Sequence, residues 1–72
     1  MTEADKMFMK LGYYADFDNK VHEYRKVEND DLEEIDFWLE DKTISKYYYR
    51  DIGYITIEEL KAINKKVNEL GW

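Results

Sequence analysis

Cysteine is absent from the 72-residue chain, so neither disulfides nor thiolate metal sites are available to it. Histidine and serine occur once each, at His22 and Ser45. A Ser-His-acid constellation would need both to converge on a carboxylate, yet neither sits at a sharp nucleophile turn or beside a glycine-rich oxyanion loop. Glycine is confined to Gly12, Gly53 and Gly71, scattered as punctuation, which leaves no loop to cradle a phosphate. No apolar run approaches the roughly 20 residues needed to cross a bilayer, and the opening MTEADKMFMK is acidic early and amphipathic, unlike a signal peptide. A cytoplasmic, noncatalytic protein without cofactor, metal or membrane attachment is therefore the expectation.

What the chain does have is aromatic bulk and negative charge. Seven Tyr, three Phe and two Trp supply large side chains for a compact centre despite 39% charged residues. A chain this short hides only about 60% of the surface its unfolded form exposes, so one domain spanning residues 1–72 is expected, and a marginally stable one. The net charge of -6 repels nucleic acid and anionic lipid at long range and steers a basic protein toward the molecule.

Helix signals stand at both ends. Thr2 and Asp5 resemble a capping box, Ala4, Met7, Phe8 and Leu11 form one stripe, and Gly12 is a natural stop. Thr56 and Glu59 form a second box, followed by a stripe of Leu60, Ile63, Val67 and Leu70 and by Gly71 as C-cap. Lys61, Lys65 and Lys66 are explained by the helix dipole.

Between the helices, Asp18-Asn19-Lys20 predicts a hairpin turn, with a second strand over about Val21 to Val27. Glu28-Asn29-Asp30-Asp31 reads as a loop. Ile35, Phe37 and Leu39 then alternate with Glu34, Asp36 and Trp38, the period of a strand with one buried face. After a turn at Glu40-Asp41-Lys42, Thr43 to Tyr49 makes the next strand, and Gly53 ends the region. The expected fold class is α+β: an N-terminal helix, three or four antiparallel strands and a C-terminal helix, both helices on one sheet face.

Two segments look like calcium ligands at first sight. Asp16 to Asn19 begins as D-x-D-N, but the sixth position, which requires Gly, is Val21, and the twelfth, which requires Glu, is Val27. Glu28, Asp30 and Asp31 are more simply an exposed acidic loop. No metal is assigned to either.

The end segments TEADKMFMKLGY and YITIEELKAINKKVNELGW resemble small uncharacterised proteins encoded in phages and prophages of Gram-positive bacteria. The likeness covers about 30 residues of capping and helix-forming sequence, and implies fold and genomic setting but no catalytic residue. It further implies a phage accessory protein, a class in which small acidic chains block host enzymes or defence systems.

The stretch VENDDLEEIDFWLED, Val27 to Asp41, carries eight carboxylates and no Lys or Arg. One reading is a solvated loop and strand face whose charges keep sheet edges from pairing with other chains. The sharper one places outward Glu34 and Asp36 about 6.6 Å apart, with Glu28, Asp30 and Asp31 at one end and Glu40 and Asp41 at the other, in a field that imitates a nucleic-acid backbone. Trp38, Tyr47 and Tyr49 share the outward parity if Ile35, Phe37, Leu39, Ile44 and Tyr48 face the helices, or lie over Lys46 and Arg50 stems. The expected partner is a host protein with a basic surface, such as a nucleic-acid-handling or defence component engaged in an anti-CRISPR-like manner. The alternative is a homodimeric structural or regulatory module that hides the aromatic patch between subunits. Direct nucleic-acid binding ranks below both, because the aromatics adjoin an acidic strand, not a basic groove.

Overall fold

The computed structural model describes residues 1–48 and 53–72. Helix α1 (Glu3–Lys10) leads into strands β1 (Tyr14–Phe17), β2 (Val21–Glu28), β3 (Asp31–Trp38) and β4 (Thr43–Tyr48), and helix α2 (Ile57–Leu70) closes the order. The strands form one antiparallel sheet in the sequence order β1-β2-β3-β4. This is the α+β architecture expected. No described helix is long and apolar enough to cross a membrane.

Both helix starts follow from their capping boxes. In α1 the Thr2 hydroxyl accepts from the Asp5 N–H at 3.1 Å while the Asp5 carboxylate accepts from the Thr2 N–H at 3.2 Å. In α2 Thr56 and Glu59 exchange the equivalent pair at 3.0 and 3.1 Å. Gly71 ends α2 at φ 75°, in left-handed backbone that costs glycine no steric penalty.

Register decides what each face carries. Tyr24 opposite Ile35, and Ile35 opposite Lys46, put one residue parity on the helix side. There Phe8 of α1 stacks on Tyr24, with centroids 3.9 Å apart, and meets Tyr13 and Phe37 edge-on. Ile35, Ala62 and Ile63 complete a core against which Met7, Leu11, Val67, Leu70 and Trp72 pack. Both helices thus roof one side of the sheet, and the opposite parity is left uncovered.

Several expectations are corrected. The segment Glu28 to Asp31 is not a loop: Glu28 ends β2, Asp31 begins β3 and the two are paired, leaving a two-residue turn at Asn29 and Asp30. Their φ values of 51° and 66° are the left-handed backbone of a tight hairpin, which Asn and Asp tolerate better than most residues. Strand β3 ends at Trp38, so Leu39 is half-buried in the following turn, its N–H donating to the Lys20 carbonyl at 3.0 Å.

On α2 the buried positions are Glu59, Ala62, Ile63 and Lys66, while Leu60 is 43% exposed. The roof sits over charged as well as apolar sheet positions, so its inner stripe carries a Glu and a Lys. Lys66 accordingly serves no solvent-exposed dipole role: it is 4% exposed, with its ammonium 4.4 Å from the centre of the Phe17 ring and 5.5 Å from that of Tyr24. Lys46 likewise turns inward. Its Nζ donates to the Tyr13 hydroxyl at 2.9 Å, to Glu33 at 3.1 Å and to Glu59 at 3.2 Å, forming a buried polar bridge between sheet and α2.

Candidate functional site on the uncovered sheet face

The uncovered face is set by the alternation opposite to the core. From β1 it takes Tyr14 and Asp16, from β2 Glu23 and Arg25, from β3 Glu34, Asp36 and Trp38, and from β4 Ser45 and Tyr47. Glu23 stands directly opposite Asp36, and Arg25 opposite Glu34. Asp16 lies opposite Glu23 from the other side. Four carboxylates and one guanidinium therefore meet in the middle of the face.

Arg25 is the hub. Its Nε donates to Glu34 at 2.7 Å, one terminal nitrogen approaches Glu23 at 3.4 Å, and the other lies 3.6 Å from Asp16. Asp36 takes no part in these pairs, and no described Lys or Arg forms an ion pair with it. It is nevertheless only 6% exposed, though it points to the open side. The cover comes from its neighbours: Glu23 and Ser45 flank it across the strands, Glu34 and Trp38 along its own. Trp38 leans diagonally, its indole N–H donating to the Ser45 hydroxyl at 3.0 Å. Burial, a shared hydrogen bond with Glu34, and the charges of Glu34 and Glu23 push the Asp36 carboxyl up to about 7, against a smaller opposing pull from Arg25.

The expected site residues fall into three groups. Glu34, Asp36, Trp38 and Tyr47 do share the open face, with Trp38 41% and Tyr47 50% exposed. Glu28 and Asp31 belong to the helix-side parity at the far end of the β2-β3 hairpin, and Asp30 is at its tip, so this trio is not gathered with the centre. Glu40 and Asp41 lie at the opposite end, where they join Trp38, Asn19 and Lys20 around a shallow concavity of about 240 Å³. Tyr49 lies outside the described residues. Glu23, Asp16 and Arg25 are the residues that reading along the chain does not single out, because only strand pairing brings them to Glu34 and Asp36.

The chemistry-bearing residues weighed for catalysis are kept apart. His22 is on the helix side, its ring stacked on Phe17 at 4.1 Å, with burial and the Lys66 charge holding its pKa down. Ser45 is on the open side, two strands away. The sheet itself stands between them. Asp18 is occupied by the first hairpin turn, where its carboxylate accepts from the N–H groups of Lys20 at 2.7 Å and Val21 at 2.8 Å.

Comparison with family models, curated proteins and solved structures finds no match to this chain.

Proposed function

We propose that the chain is a noncatalytic binding protein that docks its uncovered sheet face onto a basic protein surface. The observation that carries this reading is the composition of the face: four carboxylates against one guanidinium, with Tyr14, Trp38 and Tyr47 exposed around them. Carboxylates held close by Arg25 are pre-organised acceptors for a partner's Lys or Arg, and exposed Trp and Tyr are favoured interface anchors because they bury much area with few rotors. Docking of this kind would occupy a site that otherwise holds phosphates. With the resemblance of the terminal segments, it fits a phage or prophage accessory protein that inhibits a nucleic-acid-handling or defence protein of its host.

The alternative, a homodimer that buries the aromatic patch, has the same exposed rings in its favour. It sets like charges against each other, since each copy would bring a surplus of at least two negative groups to the joint, Asp16, Glu23 and Glu34 against Arg25. Two measurements separate the readings. Capture from host lysate that retains a basic protein, weakens with salt and is lost with Glu23→Lys and Glu34→Lys, while Glu28→Lys at the remote hairpin end leaves it intact, supports docking. A stable dimer in light scattering that Trp38→Ala and Tyr47→Ala dissociate, with no captured partner, supports the alternative.

A further inference from the structure

The centre of the open face has a property that ion pairing with Arg25 leaves unexplained. Glu23, Glu34 and Asp36 bring one carboxylate oxygen each to within 4.8 Å of one another, the one such group of three acidic residues among those described. Arg25 draws Glu23 and Glu34 together, but Asp36 has no ion pair among the described residues and still converges on the same point. The second observation concerns Asp36. Its side chain is more than nine-tenths buried within the group, and its Oδ1 meets no hydrogen-bond donor among the described residues. A buried carboxylate oxygen without a donor is costly, and the donors nearest to it are engaged elsewhere, the Trp38 indole with Ser45 and the Arg25 guanidinium with Glu34, Glu23 and Asp16. What such a pocket lacks is positive charge of small radius.

We infer that Glu23, Glu34 and Asp36 form a binding site for a hard divalent cation of calcium size. Three carboxylates with no nitrogen or sulfur donor are the ligand set of Ca²⁺ or Mg²⁺, not of zinc or copper. Geometry favours the former: Mg²⁺ demands a near-ideal octahedron, whereas Ca²⁺ accepts irregular oxygen sets such as one gathered from two paired strands. Glu23 and Asp36 approach from paired positions of β2 and β3, and Glu34 comes from one step along β3, so the ligands stand on rigid sheet. One side of the ion stays open to water. The site is distinct from both segments that look like calcium ligands in the sequence, Asp16 to Asn19 and Glu28 to Asp31. It does not depend on the docking reading, although a bound ion would cut the negative surplus of the face.

The test uses the full chain. Calorimetry with Ca²⁺ is expected to show one ion per chain, weakened about tenfold or more by Asp36→Asn and by Glu23→Gln, and unchanged by Glu28→Gln with Asp30→Asn. Tb³⁺, a Ca²⁺ surrogate, provides a positional readout. Trp38 adjoins Asp36 on the same face, so luminescence excited through tryptophan should appear with Tb³⁺, be displaced by Ca²⁺ and fall in Trp38→Phe. Circular dichroism of each variant confirms the fold, and Glu23→Gln stands in should Asp36→Asn fail it. Absence of both heat and luminescence overturns the inference, as does binding that survives Asp36→Asn and Glu23→Gln but is lost with the hairpin-end variants.

Discussion

Replacing Lys46 with Met should remove a large share of the protein's stability. The Lys46 side chain is 9% exposed and its partner Glu59 6%, so the pair lies in low dielectric and the loss is not softened by water. Met has nearly the length of the lysine stem and fills its space, which isolates the charge effect from a cavity effect. What remains is a buried Glu59 carboxylate kept company by the Tyr13 hydroxyl and the Thr56 N–H alone. Breaking one side of such a pair costs about 3–5 kcal/mol. A chain of this length has on the order of 4–10 kcal/mol in all. Glu33 is less affected, because Lys26 still lies 3.6 Å from it. Adding Glu59→Gln to Lys46→Met removes the stranded charge, so the double variant should recover about 2 kcal/mol relative to additivity. Urea unfolding followed by far-ultraviolet circular dichroism and by Trp72, which packs beside Phe37, measures all three variants. A loss below about 1 kcal/mol in Lys46→Met, or strictly additive single effects, would refute the claim that this bridge ties α2 to the sheet.

Three further outcomes follow from the same structure. Stability measured in EDTA should peak at mildly acidic pH. Asp5 and Glu59 are both pushed up by burial but pulled further down, Asp5 by Tyr24, Thr2 and Lys66 and Glu59 by Tyr13, Thr56 and Lys46, so their contribution is present above ordinary carboxylate values and lost as pH falls through their lowered ones. Asp36 has the opposite sign: its contribution is fully present below 3.8 and is lost as pH rises toward and past about 7, so Asp36→Asn should flatten the alkaline limb alone in a thermal-melt series. Thr56→Ala should cost about 1 kcal/mol by loss of the α2 N-cap, whereas Phe8→Ala, which empties the stacked centre of the core, should cost about 3–5 kcal/mol; chemical denaturation distinguishes the two. Trp38→Ala should change stability by less than about 1 kcal/mol, because the ring is 41% exposed and lies outside the core cluster, so any loss of partner capture in that variant reports the interface.

The parts of the fold written in local chemistry were legible in the sequence. Capping boxes at Thr2 and Thr56, the Asp18 turn and the alternation through Ile35 and Phe37 each act over a few residues, and each appears where expected. Strand alternation also placed Trp38 and Tyr47 on the open side correctly. The differences between expectation and structure share a cause: a polar residue is not always an exposed one. Lys46 and Glu59 are buried because they pair with each other, and Lys66 because it lies on aromatic rings, which becomes visible only once sheet and helix are brought together. Four consecutive polar residues from Glu28 to Asp31 read as a loop, whereas only Asn29 and Asp30 are left-handed turn residues and Glu28 and Asp31 beside them are paired strand ends. The candidate site was half visible for a related reason. Glu34 and Asp36 lie on one strand and could be read in order, whereas Glu23, Asp16 and Arg25 reach them only through register.

The central claim is that charge and aromatic rings on the uncovered face act together as a docking surface. Titrating isotope-labelled protein with an oligo-arginine peptide tests it directly, by amide and tryptophan indole shifts at two salt concentrations. Saturable shifts centred on Glu23, Glu34, Trp38 and Tyr47, abolished by Glu34→Lys and weakened by salt, are predicted. Shifts confined to Glu28, Asp30, Glu40 and Asp41 at the hairpin ends, with the face between them unmoved, would contradict it.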